Sequence, residues 1–199
     1  MNELDRPWKP LKPDEAGAIL AGCPVPWWVA GGWALDLFLG HPTRDHADID
    51  VAISRGDALQ LQQHLTGWRL FAVDPPGNLR PWKRGELLEP PVHDLWCSRD
   101  PGFWELQLML HEEDGGQWIY RRNPEIRLPL HEAYRMTPDG IRYIRPELQL
   151  LFKAKAPRPK DHQDFARVWP ALAGAERTML RDLLRREYPG GHSWLTGTS

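Results

Sequence analysis

Two aspartates stand two residues apart in an apolar stretch, where Asp48 and Asp50 alternate with Ile49, Val51 and Ile53. Successive side chains of a strand point to opposite faces, so both carboxylates project to one side and the apolar residues to the other. Two neighbouring carboxylates repel each other unless a cation lies between them. Oxygen ligands of this type suit Mg²⁺, which proteins hold with one or two carboxylates and substrate phosphates. The spacing therefore predicts either a cation-binding strand over residues 48–54 or an edge strand with solvated aspartates.

A glycine pair and a polar turn precede this strand. Gly31 and Gly32 open a predicted helix that ends before Gly40, and backbone amides without a side chain nearby can approach a phosphate. The turn over residues 43–46 carries Arg44 and His46. A guanidinium suits phosphate oxygens, so these two side chains either contact a triphosphate or lie solvated on the turn.

The two blocks read Gly-Gly-Trp-Ala-Leu-Asp at residues 31–36 and Thr-Arg-Asp-His-Ala-Asp-Ile-Asp at residues 43–50. Together they resemble the nucleotidyltransferases of the DNA polymerase β superfamily, and within it the aminoglycoside and lincosamide nucleotidyltransferases. The resemblance implies transfer of a nucleoside monophosphate from a nucleoside triphosphate, with ATP expected, to a hydroxyl acceptor such as an aminoglycoside-like small molecule. It implies Mg²⁺ or Mn²⁺ as cofactor. The implied catalytic metal ligands are Asp48 and Asp50, and the implied nucleotide-binding residues are Gly31, Gly32, Arg44 and His46.

Relatives of this type carry a third acidic residue on a later strand. In the apolar stretch 103–110, Glu105 and Gln107 share one face, and Glu105 is the acidic residue there, so we predict Glu105 as a catalytic metal ligand. Asp94 on the preceding strand is the alternative. Some relatives place the acid where Gln107 stands, and an amide there would leave the chain without a third acid of the usual kind.

A second block lies in the C-terminal part, as Pro-Glu-Leu-Gln-Leu-Leu-Phe-Lys-Ala-Lys at 146–155 and Arg-Pro-Lys-Asp-His-Gln-Asp-Phe at 158–165. It resembles the Lys…Lys-Asp-x-x-Asp helices of many bacterial nucleotidyltransferase-like proteins. By that resemblance Lys153 binds the nucleotide phosphates, and Asp161 either approaches the acceptor as a catalytic residue or braces the lysine. Asp161 and Asp164 share one helix face. The alternative is a surface ion-pair cluster, since acidic residues are favoured near a helix N-terminus.

Composition limits the remaining possibilities. The 199 residues carry a formal net charge of −2, so no overall basic field attracts long nucleic acid or a membrane surface. Two cysteines form no disulfide framework, and neither a signal peptide nor a membrane-spanning run is present, which makes a cytoplasmic location the expectation. The periodicity predicts an α+β fold: a nucleotidyltransferase domain over 1–140, a mixed sheet with flanking helices, and a helical C-terminal region over 141–199. Residues 189–199 are expected to fray.

The motifs alone do not determine the acceptor, because one fold serves many substrates. Besides a small-molecule acceptor, the resemblance allows a toxin-type enzyme that modifies tRNA or protein. The third hypothesis is a pseudoenzyme that binds nucleotide without transferring it and has Gln107 in place of an acidic residue.

Overall fold

The computed structural model describes residues 2–196, which form a mixed sheet flanked by helices. The strands are β1 (Trp27–Ala30), β2 (Asp50–Ser54), β3 (Arg69–Val73), β4 (Leu79–Pro81), β5 (Asp94–Ser98), β6 (Leu106–Asp114), β7 (Gln117–Ile119), β8 (Arg127–Pro129), β9 (Tyr134–Met136) and β10 (Arg142–Ile144). The helices are α1 (Pro13–Ile19), α2 (Gly31–Leu39), α3 (Ala58–His64), α4 (Pro146–Lys153), α5 (Pro159–Val168) and α6 (Gly174–Glu187). The predicted α+β class is confirmed.

The strands follow the order β4-β3-β5-β6-β2-β1-β10-β9, and the β7–β8 hairpin continues from the far end of β6. The neighbours β2 and β6 run parallel, as do β1 and β10, and the other pairs are antiparallel. The strand β2, which begins with Asp50, therefore lies in the middle of the sheet between β6 and β1. Asp50 pairs with Ala30 on one side and with Gln107 on the other.

The alternation around the acidic pair determines which face is buried. Ile49, Val51 and Ile53 are fully buried, and they pack against the apolar residues of β6 and against Leu61 of α3. A second core joins β1 and α2 to α4, α6 and the β7–β8 hairpin. The face that carries Asp50 is thus left to the loops and helices that form the cleft described below.

Some element boundaries differ from the predicted ones. The acidic strand begins at Asp50 instead of at residue 48, and β6 begins at Leu106 instead of at residue 103. Residues 142–144 form β10 beside β1 before the C-terminal helices start. Residues 189–196 do not fray as expected, because Trp194 is buried and stacks on Phe165 of α5, whereas residues 197–199 lie outside the described part. No helix in residues 2–196 is both long and apolar enough to cross a membrane.

Candidate active site

A cleft of about 360 Å³ lies where β2, the start of α2, α4 and the start of α5 meet. Seven of the residues predicted from the sequence line it: Gly31, Gly32, Arg44, Asp48, Asp50, Lys153 and Asp161. The structure thus brings together two motif blocks that stand about a hundred residues apart in the chain.

The acidic pair forms one wall of the cleft. Both Asp48 and Asp50 are half-buried and line the same space. Burial, together with the carboxylates of Asp48 and Asp94, raises the pKa of Asp50 to about 7, although Lys153 and Lys160 lower it in part. The ionised form of Asp50 is therefore unfavourable by itself and would be favoured by a cation between the two carboxylates.

The glycine pair is explained by the side chains that approach it. Gly31 has φ +66°, and a Cβ there would lie 2.0 Å from Oδ2 of Asp50. A Cβ on Gly32 would lie 2.5 Å from both the Arg44 guanidinium and the His46 ring. The backbone N–H of Gly31 donates to Oε1 of Gln149 at 2.8 Å, so this amide already has a partner. The glycines thus admit three side chains, and the Gly31 amide is not free for a phosphate.

The polar turn is held by α2. Asp36 accepts hydrogen bonds from Oγ1 of Thr43 and from Nε2 of His46, each at 2.6 Å. The His46 side chain is only 3% exposed and lies against Trp33, with ring centroids 4.4 Å apart. His46 therefore does not line the cleft, and its contacts support a positioning role for the turn instead of the predicted contact with nucleotide.

Arg44 lines the cleft, but its guanidinium is already bound to a carboxylate. Its Nε and Nη2 atoms donate to the two carboxylate oxygens of Asp164 at 3.1 and 3.2 Å. This bidentate pair connects the turn before Asp48 to helix α5. Bidentate geometry fixes orientation as well as adding energy, so the turn is held in one position relative to α5.

Lys153 at the end of α4 contacts Asp161 in the first turn of α5. Nζ of Lys153 lies 2.8 Å from Asp161 and 3.0 Å from Asp164, and Arg158 donates to the other oxygen of Asp161 at 2.8 Å. Burial by itself would raise the pKa of Asp161, but the hydrogen bonds from Arg158 and Lys153 outweigh it, and the pKa lies well below its usual range. A carboxylate held ionised in this way is a poor proton acceptor, which favours the bracing role over the catalytic one.

Glu105 does not reach the cleft, and this placement corrects the predicted third metal ligand. Before Leu106 the neighbour of this segment is no longer β2 but the N-terminal residues, whose Leu11 N–H donates to the Glu105 carbonyl. The Glu105 side chain is 6% exposed and accepts hydrogen bonds from the Arg99 backbone at 2.7 Å and the Arg99 guanidinium at 2.6 Å. It stabilises the turn between β5 and β6.

Gln107 and Asp94 lie on the side of the acidic pair where the resemblance implies a third acidic residue. Gln107 lines the cleft directly beside Asp50, and its Nε2 donates to Oδ1 of Asp94 at 3.4 Å. Asp94 is close enough to raise the pKa of Asp50. In the part of the chain that the structure describes, no three His, Cys, Asp or Glu side chains form a group that could hold a metal by themselves. Substrate oxygens would have to complete the coordination around Asp48 and Asp50.

Several basic residues of the cleft were not predicted from the sequence: Arg121, Arg122, Lys155, Arg158 and Lys160. The signal available was weak, namely two adjacent arginines after an apolar strand and basic residues on either side of Pro157. With Arg44 and Lys153 these cations surround the acidic pair, so the cleft can bind a strongly anionic ligand together with a divalent cation.

Comparison with known proteins finds one family model and several solved structures that this chain resembles. The family model of aminoglycoside-2''-adenylyltransferases matches residues 15–70. Among curated proteins no sequence matches the chain. The solution structure of the antibiotic-resistance factor ANT(2'')-Ia has a TM-score of 0.56 at 17% identity and covers 87% of this chain and 89% of its own.

Two further solved structures are similar. The crystal structure of ANT(2'')-Ia in complex with adenylyl-2''-tobramycin has a TM-score of 0.55 at 16% identity, covering 86% of this chain and 93% of that one. The lincosamide antibiotic adenylyltransferase LnuA, with lincomycin bound, has a TM-score of 0.49 at 19% identity and covers 83% and 92%. The family match confirms the resemblance to the aminoglycoside nucleotidyltransferase group, and the ANT(2'')-Ia structures confirm the fold.

Proposed function

We propose that this nucleotidyltransferase transfers a nucleoside monophosphate from a Mg²⁺- or Mn²⁺-bound nucleoside triphosphate, with ATP as the expected donor, to a hydroxyl of a small molecule. The observation that carries the proposal is the acidic pair, Asp48 and Asp50, facing a cleft lined by seven basic side chains. The match to aminoglycoside-2''-adenylyltransferases supports adenylyl transfer and an aminoglycoside-like acceptor.

The donor set of the cleft fits a divalent cation. Asp48 and Asp50 supply hard oxygen ligands, and Mg²⁺ is commonly held by one or two carboxylates together with substrate phosphates. The raised pKa of Asp50 fits as well, because a bound cation would stabilise the ionised carboxylates. A divalent ion bound there would neutralise phosphate charge and activate the acceptor oxygen.

The remaining residues bind and orient. Phosphoryl-type transfer requires positioning and charge neutralisation more than covalent chemistry from the protein. Gly31 lets the Asp50 carboxylate approach the start of α2, and Gln149 fixes the backbone at that point. Asp161 holds Lys153 at the cleft. Asp94 accepts a hydrogen bond from Gln107 and is close enough to raise the pKa of Asp50, so we assign it as the acceptor of the proton from the acceptor hydroxyl.

The acidic pair provides the first test. Asp48→Asn and Asp50→Asn should each abolish Mg²⁺-dependent ATP binding in calorimetry and keep the circular dichroism of the parent, since removing one charge relieves repulsion in the metal-free protein. Asp45→Asn is the matched control, because Asp45 is exposed on the adjoining turn. Unchanged Mg²⁺-ATP binding in both cleft variants would refute the proposal.

Gln107 favours one alternative, a pseudoenzyme that binds nucleotide without transferring it. An amide stands beside Asp50 where a carboxylate would complete a three-acid metal site. Incubating the protein with four Mg²⁺-triphosphates and a pool of aminoglycosides, lincosamides and tRNA separates the alternatives by mass detection of adducts. A pseudoenzyme binds ATP but releases no pyrophosphate, and an adduct on tRNA would identify the toxin-type reaction.

A further inference from the structure

Three cations of the cleft are already compensated by carboxylates. Arg44 pairs with Asp164, Lys153 with both Asp161 and Asp164, and Arg158 with Asp161. The Lys153 side chain is only 8% exposed, and both of its partners are more deeply buried. These pairs hold α4, α5 and the turn at 43–46 together. A phosphate that approached Lys153 would compete with two carboxylates.

Arg121 differs from these residues. It is half-buried and lines both the cleft and a narrow apolar pocket that adjoins it. Within residues 2–196 the structure gives its guanidinium neither a hydrogen bond nor an ion pair. Burial lowers the pKa of Arg121, and the Asp94 carboxylate offsets this only in part. Withdrawing a cation from water is unfavourable unless a partner compensates it, so this position is suited to an anion from outside the chain.

The backbone around Arg121 is held firmly. Tyr120 before it is fully buried, and its N–H donates to the Ile126 carbonyl. Arg122 after it donates to the Phe152 carbonyl of α4 at 2.7 Å. The residue therefore projects into the cleft from a fixed base, and less entropy is lost when its guanidinium binds a ligand.

We propose that Arg121 binds the phosphates of the donor nucleotide directly, and that Lys153 is a positioning residue that holds α4 on α5. This inference rests on the proposed function, since it takes the cleft as a triphosphate site. A guanidinium presents several N–H donors in one plane and matches two phosphate oxygens at once, whereas an ammonium acts as a point charge.

Calorimetric binding of two probes, Mg²⁺-ATP and Mg²⁺-tripolyphosphate, tests the assignment in the full chain. Arg121→Gln should weaken both probes about 10- to 100-fold, the range expected when a charge-assisted hydrogen bond is lost. Arg121→Lys, which keeps the charge and loses the planar donors, should fall between this variant and the parent. Arg186→Gln, an exposed arginine on α6, is the control and should bind as the parent does.

Urea unfolding without ligand gives the second readout. Arg121→Gln should unfold at the same urea concentration as the parent or higher, because it removes a desolvated and unpaired charge. Lys153→Met should unfold at lower urea, because it leaves Asp161 and Asp164 with fewer partners, and it should change probe affinity less than Arg121→Gln does.

The assignment is overturned if Arg121→Gln binds both probes as tightly as the parent, or if Lys153→Met loses more affinity than Arg121→Gln. A parent protein that binds neither probe overturns both this inference and the proposed function. A parent that binds both probes with the expected loss in Arg121→Gln, but forms no adduct with any acceptor, supports the role of Arg121 and refutes the transfer reaction.

Discussion

Replacing Asp164 by Asn should destabilise the protein strongly, because this residue joins the turn at 43–46 to α4 and α5. Its side chain is 4% exposed, and it accepts two hydrogen bonds from Arg44 and lies 3.0 Å from Nζ of Lys153. Removing one partner of a buried ion pair costs about 3–5 kcal/mol, because it leaves the other charges uncompensated. Since the Arg44 side chain retains 18% exposure, we expect about 3 kcal/mol, the lower end of that range.

Urea unfolding at pH 7, followed by fluorescence of the tryptophans, measures this loss. The matched control is Asp182→Asn on α6, where the side chain of Asp182 is 57% exposed and its partner Arg185 is 65% exposed. Exposed pairs contribute about 0–1 kcal/mol, so the control should be nearly neutral. A loss in Asp164→Asn no larger than that of the control would refute the view that this network holds the cleft together.

The dependence on pH provides an independent check. Burial alone would raise the pKa of Asp164, but Arg44 and Lys153 hold it below its unfolded value of 3.8. The contribution of the ionised carboxylate to stability is therefore complete above about pH 4 and is lost as the pH falls through the folded pKa. The difference in unfolding free energy between the parent and Asp164→Asn should be constant from pH 7 to 5 and should shrink below pH 4. A difference that persists at pH 2 would show that packing, and not charge, is responsible.

Three further predictions concern other parts of the molecule. Gly31→Ala should lose about 1–2 kcal/mol of stability in urea unfolding, because position 31 has a positive φ. The variant should also lose Mg²⁺-ATP binding in calorimetry, because the new Cβ would displace the Asp50 carboxylate, and unchanged binding would refute this steric argument. Burial lowers the pKa of His111 from 6.5 to about 4, so the unfolding free energy of the parent, compared with that of His111→Phe at the same pH in urea unfolding, should fall by about 3 kcal/mol as the pH falls from 6.5 to 4. In pyrophosphate-release assays Asp94→Asn should slow turnover more than Glu105→Gln, and the reverse order would return the third acid to Glu105.

The features predicted from the sequence are those that depend on local spacing. The alternation of residues 48–53 required only the strand period, and the three C-terminal helices followed from helical periodicity. The same reasoning placed Glu105 and Gln107 on one strand face, but it could not show where that strand stops pairing with β2. The N-terminal segment around Leu11 occupies that place, and Glu105 turns to Arg99. Such a contact between distant parts of the chain has no local signal.

Arg121 was missed for a related reason. Its role depends on the lack of a partner for its guanidinium among residues 2–196, and such a lack cannot be recognised before the positions of the neighbouring carboxylates are known. Lys153 shows the opposite case. The sequence singled it out correctly as a cleft residue, but the two carboxylates that hold it come from the next helix, and their number decides whether its charge remains available for a ligand.

The polar turn at 43–46 and helix α5 form one unit, although their two motifs are separate in the sequence. The absence of a Cβ on Gly32 lets the Arg44 guanidinium lie over the start of α2, and from there it reaches Asp164 on α5. Asp164 in turn contacts Lys153 at the end of α4. Each residue in this series requires the next, since a side chain at position 32 would move Arg44, and without Arg44 the buried carboxylate on α5 would lose its bidentate partner. The co-occurrence of the two motif blocks thus has a structural cause, independent of any contact that either makes with nucleotide. It follows that substitutions in the Arg44–Asp164–Lys153 series should lower stability and nucleotide affinity together, whereas Arg121→Gln should lower affinity without lowering stability.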